Sequence, residues 1–181
     1  LQVEHTVTEQ ITAVDIVRNQ IKIAAGLPIS VQQKDVIMLG HAIQCRINAE
    51  DPKNNFMPST GTVTAYLSPG GIGVRIDGAV YKDYTVPPYY DALLAKLTVR
   101  GRTWEEAVSR MRRSLEEYVL RGLKTTIPFM AAIMQEPDFM AGRFDTSYLD
   151  THPDLYSYHE FQQPEDVVMA ISAAIAAYEG L

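Results

Sequence analysis

A chain of 181 residues, 46% hydrophobic and 21% charged, is long enough to bury one sizeable core. Its formal net charge of −6 argues against a nucleic-acid partner, and its single cysteine, Cys45, excludes an internal disulfide. No apolar run approaches the ~18 residues that a membrane span needs, so the profile is that expected of a soluble, cytoplasmic domain, although a targeting peptide would be invisible in a chain that opens on Leu1.

The first residues, Leu1-Gln2-Val3-Glu4-His5, are expected to be extended. Gln2 and Glu4 would then share one face and Val3 and His5 the other. Thr6-Val7-Thr8-Glu9 has the spacing of a capping box, and the helix N-terminus it predicts suits a bound anion. Beside an anion, like-charge repulsion and desolvation should raise the pKa of Glu4, making it a usable base near neutral pH. The plainer alternative is a short edge strand with solvated polar side chains. One long helix should follow from about Thr8 to Ala25, with Ile11, Val14, Val17, Ile21 and Ala24 on one stripe and Gly26 and Pro28 as the stop.

From residue 41 to 100 short alternating strands predict a mostly antiparallel sheet, with turns at Asp51 to Gly61, Pro69 to Gly73 and Pro87 to Tyr90. In the segment from Gly40 to Asn48, Ile43, Cys45 and Ile47 share the apolar face, while Gln44, Arg46 and Asn48 share the polar one. On that polar face Arg46 could hold a carboxylate or a developing oxyanion, or could simply pair with Glu50 or Asp51. Pro69-Gly70-Gly71-Ile72-Gly73 lacks the spacing of a dinucleotide fingerprint and reads as a turn. The strand from Ala92 to Val99 puts Leu93, Ala95, Leu97 and Val99 on one face.

Thr103, with Glu106 three residues on, caps an amphipathic helix lined by Trp104, Ala107, Val108, Met111, Leu115, Tyr118 and Val119. Its Arg110, Arg112 and Arg113 are flanked by glutamates, the pattern of a salt-bridged surface rather than an anion site. A shorter helix should occupy Thr126 to Gln135, ended or offset at Glu136-Pro137. Residues 151–163 read as a connector, and a last helix should start at Pro164 with Val167, Ile171, Ala174, Ile175 and Tyr178 at helical spacing. His5, His41, His152 and His159 lack zinc-site spacing, and no metal site is expected. The fold class is therefore α+β, a mostly antiparallel sheet flanked by helices.

Several blocks together resemble the C-terminal part of biotin carboxylase, an ATP-grasp-type enzyme: Leu1 to Glu9, Gly40 to Ile43, Cys45-Arg46-Ile47-Asn48-Ala49-Glu50-Asp51-Pro52, Pro69 to Arg75, Pro87 to Asp91 and Gly122 to Thr126. The resemblance covers residues 1–150 and leaves 151–181 as a connector and C-terminal helix. It implies that Gln2, Val3 and Glu4 hold bicarbonate, that Glu4 is the base that deprotonates it, and that Arg46 stabilises the enolate-like ureido oxygen of biotin. It also implies a homodimer contact through Ile72 and Arg75, and a nucleotide contact near Thr146 that is weakly matched.

By the same resemblance the whole enzyme uses ATP, Mg and biotin on a carrier protein, hands its product to a carboxyltransferase, and is a homodimer. The family's metal-binding segment and its ATP-covering domains are absent from this sequence, so the chain reads as a fragment that would bind none of these cofactors and turn over no ATP alone. Two rivals are another ATP-grasp ligase and a non-catalytic dimerisation module. The first should not carry the Gln-Val-Glu-His and Cys-Arg-Ile-Asn-Ala-Glu-Asp blocks together.

Overall fold

The computed structural model describes residues 1–158 and 164–179. The end of the expected connector, residues 159–163, lies outside the described residues, as does the Val167 side chain.

The chain opens with a turn at Gln2 to His5 rather than a strand, and α1 (His5–Thr12) begins at once. The capping-box expectation fails for the same reason: Thr6 lies inside α1, fully buried, and its hydroxyl is spent on the sheet below. The single long helix is two helices. Ala13 adopts a left-handed conformation (φ 57°), and α2 (Ile16–Ala24) restarts behind Asp15, whose carboxylate accepts the Arg18 N–H at 2.8 Å. Gly26 at φ 76° closes α2 as expected.

The strands are β1 (His41–Asn48), β2 (Glu50–Asp51), β3 (Met57–Pro58), β4 (Gly61–Thr62), β5 (Ala65–Leu67), β6 (Val74–Gly78), β7 (Thr85–Val86), β8 (Leu93–Gly101) and β9 (Val119–Arg121). All pairings are antiparallel, in a three-stranded sheet of order β1-β8-β6 and separate ribbons β2-β3, β4-β7 and β5-β9. The expected antiparallel character holds, divided among small sheets. Side chains of β1 alternate as read from the sequence, with Ile43, Cys45 and Ile47 buried and Arg46 exposed. Burial pushes the Cys45 thiol up to about 12, which suits a packed thiol.

Helix α3 (Trp104–Glu117) covers the apolar face of this sheet. Thr103 Oγ1 accepts the Glu106 N–H at 3.2 Å, while Ala107, Val108, Met111 and Leu115 join Ala95, Leu97 and Val99 in the core. Arg110, Arg112 and Arg113 pair along α3 with Glu106, Glu116 and Glu117, as their spacing implied. Helix α4 (Ile127–Ile133) adds Phe129 and Ala131 to the core, and α5 (Pro137–Met140), α6 (Tyr148–Thr151) and α7 (Pro164–Glu179) follow. A second small core gathers Ala49, Val63, Val80, Val86 and Leu94.

One polar residue holds the end of β1. The pairing of β1 with β8 shifts between Ile47 and Asn48. Thr126 spans the irregularity, its Oγ1 accepting the Asn48 N–H at 3.0 Å and donating to the Arg46 carbonyl at 2.9 Å. Thr126→Val keeps the shape and strands both backbone groups, so it should destabilise the fold by about 1–3 kcal/mol. Urea unfolding measures this, and an unchanged midpoint would show that the bridge is dispensable.

Candidate functional site

The sheet face opposite α3 is polar. Register sets two rows across it: Gln44 beside Thr98 beside Arg75, and Arg46 beside Lys96 beside Asp77. Helix α1 lies over these rows and answers them residue by residue. Thr6 Oγ1 donates to Gln44 Oε1 at 2.9 Å and accepts from Thr98 Oγ1 at 2.8 Å. The buried His5 ring takes Lys96 Nζ on Nε2 at 2.8 Å. Glu4, at the cap position of α1, pairs with Arg46 Nη2 through Oε1.

The two residues singled out from sequence thus meet directly, although far apart in the chain. The partner of Arg46 is Glu4 rather than Glu50 or Asp51; Glu50 instead accepts from Asn48 Nδ2 at 3.2 Å. The Glu4 and Arg46 side chains remain about half exposed, 53% and 47%, so the pair faces solvent. The carboxyl of Glu4 is held below its ordinary value, first by the Arg46 hydrogen bond, with Lys96 adding attraction, and it is too exposed for desolvation to win. Gln2 is exposed and Val3 partly buried in the turn before α1.

Ile72 lies in the turn ahead of β6, whereas Arg75 stands on β6 in the polar row beneath α1. Ile72 is 91% exposed at the tip of the turn. Gly73 at φ 75° leaves no room for a Cβ, which would stand 2.7 Å from the Arg100 carbonyl. Arg75 grips Asp77 with two hydrogen bonds of 2.6 and 2.8 Å and reaches Glu9 at 2.7 Å. Thr146 is exposed just ahead of α6. Sequence reasoning missed Glu9, His5, Lys96 and Thr126. His5, Glu9 and Thr126 lie within the resembling blocks, but nothing in the sequence gave them these contacts.

The match to the family model "Biotin carboxylase C-terminal domain" spans residues 44–151, and residues 1–32 match that of "Carbamoyl-phosphate synthase L chain, ATP binding domain". The chain belongs to the biotin carboxylase C-terminal domain family. Among similar proteins, the 2-oxoglutarate carboxylase small subunit of Hydrogenobacter thermophilus is 52% identical over all of this chain and 38% of its own length. Biotin carboxylase 1 of Bacillus subtilis is 49% identical over 84% of this chain and 34% of its own.

The biotin carboxylase domain dimer of the Hydrogenobacter 2-oxoglutarate carboxylase, crystallised with MgADP, ADP and bicarbonate, superposes with a TM-score of 0.85 at 52% identity, over 88% of this chain and 35% of that one. The biotin carboxylase subunit of a pyruvate carboxylase gives 0.86 at 53%, over 88% and 36%. The chain therefore spans well under half the length of these biotin carboxylase relatives. The α+β, antiparallel architecture is that of biotin carboxylase domains. Among the described residues no helix is long and apolar enough to cross a membrane, and no group of three His, Cys, Asp or Glu side chains could hold a metal ion.

Because Arg46 lowers the Glu4 pKa, the pair's contribution to stability is complete above the ordinary carboxylate range and is lost as pH falls through the lowered value. Arg46→Ala should return the Glu4 titration upward toward its ordinary value. Carbon-13 NMR of the Glu4 carboxyl tests this, and an unmoved titration would mean that Arg46 does not set it.

Proposed function

We propose that this chain supplies the bicarbonate-deprotonating and biotin-facing residues of an ATP-dependent biotin carboxylase. The observation that carries this reading is the meeting of Glu4 with Arg46 on an open face, with Lys96 adjoining. Gln2 and Val3 precede Glu4 in the same turn and would contribute a side-chain amide and a backbone N–H to a small oxyanion. Its pairing with Arg46 keeps Glu4 in the ionised, proton-accepting form. When an entering anion takes the Arg46 donors, Glu4 loses its partner and gains a like charge, so its affinity for a proton rises at the moment one is offered.

Biotin, on its carrier protein, supplies a ureido nitrogen as nucleophile and an oxygen on which negative charge develops. The planar, permanently charged fork of Arg46 then holds N–H donors at that oxygen. Mg and ATP are assigned to the remainder of the enzyme, and the isolated chain is inactive in this reading. The carrier protein and a carboxyltransferase are the partners, the enzyme works in the cytoplasm, and residues 1–150 form the domain while 151–181 form a connector and terminal helix. The homodimer is made through Ile72 and Arg75. Ile72, 91% exposed at the tip of the turn, is accessible to a second copy there.

In the complete enzyme Arg46→Ala and Glu4→Gln should each lower biotin carboxylation by about 10²-fold or more. Steady-state assays with free biotin read the loss, and near-normal rates in either variant would end the assignment. Ile72→Asp should weaken the dimer by about 2 kcal/mol, roughly thirtyfold in Kd, in sedimentation velocity. An unchanged dimer would move the interface elsewhere.

A further inference from the structure

Glu9 belongs to none of the sites above, yet its side chain is only 9% exposed and is fully engaged. Oε1 accepts the Ile16 N–H at 2.8 Å, and Oε2 accepts from Arg75 Nη1 at 2.7 Å and faces His5 Nδ1 at 3.3 Å. Burial alone would raise its pKa, but the hydrogen bonds from Arg75 and Ile16 outweigh it and hold the carboxyl below its ordinary value.

Each contact fixes a different degree of freedom. Ile16 is the first residue of α2, so the bond to its N–H closes the elbow that Ala13 opens. Arg75 stands on β6 and is itself clamped by Asp77, so that bond ties α1 to the far strand of the sheet. His5 lies one turn before Glu9 and rests on Lys96. It is also the neighbour of Glu4. With eight residues, α1 is too short to be stable by itself and takes its position from such contacts.

We infer that Glu9 is a positioning residue for Glu4: by locking the α1–α2 elbow to β6 and backing the His5 ring, it sets where the Glu4 carboxylate stands over Arg46. The inference rests on the proposed role of Glu4 and deepens it. A helix released at Glu9 can rotate or lift, and a displacement of about 1 Å at a reacting group can cost up to about 10²-fold in rate. The loss should fall on the substrate that Glu4 contacts, bicarbonate, and appear in its KM as well as in the rate.

The test uses the complete enzyme and compares Glu9→Gln, Glu4→Gln and the double variant. Glu9→Gln keeps the side-chain shape and removes the charge. It should raise the KM for bicarbonate about tenfold, leave the KM for ATP within about twofold, and have no further effect in the Glu4→Gln background. An unchanged bicarbonate KM would overturn the inference, as would a parallel rise in both KM values that persists without Glu4, the mark of general damage.

A harmless Glu4→Gln would remove the base assignment itself, whereas a harmless Glu9→Gln beside a damaging Glu4→Gln would remove only the positioning role. Ile16→Pro provides a second route should Glu9→Gln not fold. It deletes the amide donor at a first helical position, where proline is tolerated, after Asp15, whose ψ of 96° is already extended. It should raise the bicarbonate KM about threefold with the ATP KM unchanged, and no rise would count against the inference.

Discussion

A helix laid on the polar face of a sheet must answer every charge it covers. An unanswered buried donor or cation is expensive, and here Lys96, Thr98 and Arg75 lie in the rows beneath α1. The short α1 meets this condition with four side chains, Glu4, His5, Thr6 and Glu9, each matched to a particular position on β1, β6 or β8. Because side chains on a strand alternate, a shift of one residue in any strand would replace these partners with core residues such as Cys45 or Leu97. The apolar packing of α3 on the reverse face therefore sets the register on which the polar match depends.

The two carboxylate-guanidinium contacts under α1 differ in a way that suits different tasks. Glu9 and Arg75 are largely withdrawn from water and share a third member, Asp77, so parting them leaves buried charge uncompensated. Glu4 and Arg46 are half exposed, and pairs of that kind contribute only about 0–1 kcal/mol. An incoming anion can separate them at little expense, because water and the anion itself replace what each loses. The firm pair fixes the helix, and the loose pair is free to exchange partners.

Patterns that depend on one segment were legible in the sequence. The alternation of Ile43, Cys45 and Ile47, the cap at Thr103 and the salt-bridged arginines of α3 appear where their spacing put them. What the sequence hid was decided by contacts across the chain. Thr6 and Glu9 have capping-box spacing, but a buried hydroxyl gains more from Gln44 and Thr98 than from its own helix end, and Glu9 gains more from Arg75. The break at Ala13 carries no glycine or proline, so local composition gave no sign of it. The lowered pKa of Glu4 was likewise unreadable, because it depends on Arg46 arriving from another strand.

The matched family segments meet within this same polar layer. Residues 1–32 match an ATP-binding-domain model and residues 44–151 a biotin carboxylase C-terminal model, yet Glu4–Arg46 and Glu9–Arg75 each join a side chain of the first segment to one of the second. A boundary drawn between the segments would cut both pairs and the Thr6 and His5 contacts with them. Such a seam joins the segments physically: Glu9 ties the start of α2 and strand β6 to the helix that Glu4 caps. The carboxylate at the start of that helix thus rests on contacts from both segments, while the guanidinium opposite it is held in the sheet by the β1–β8 ladder.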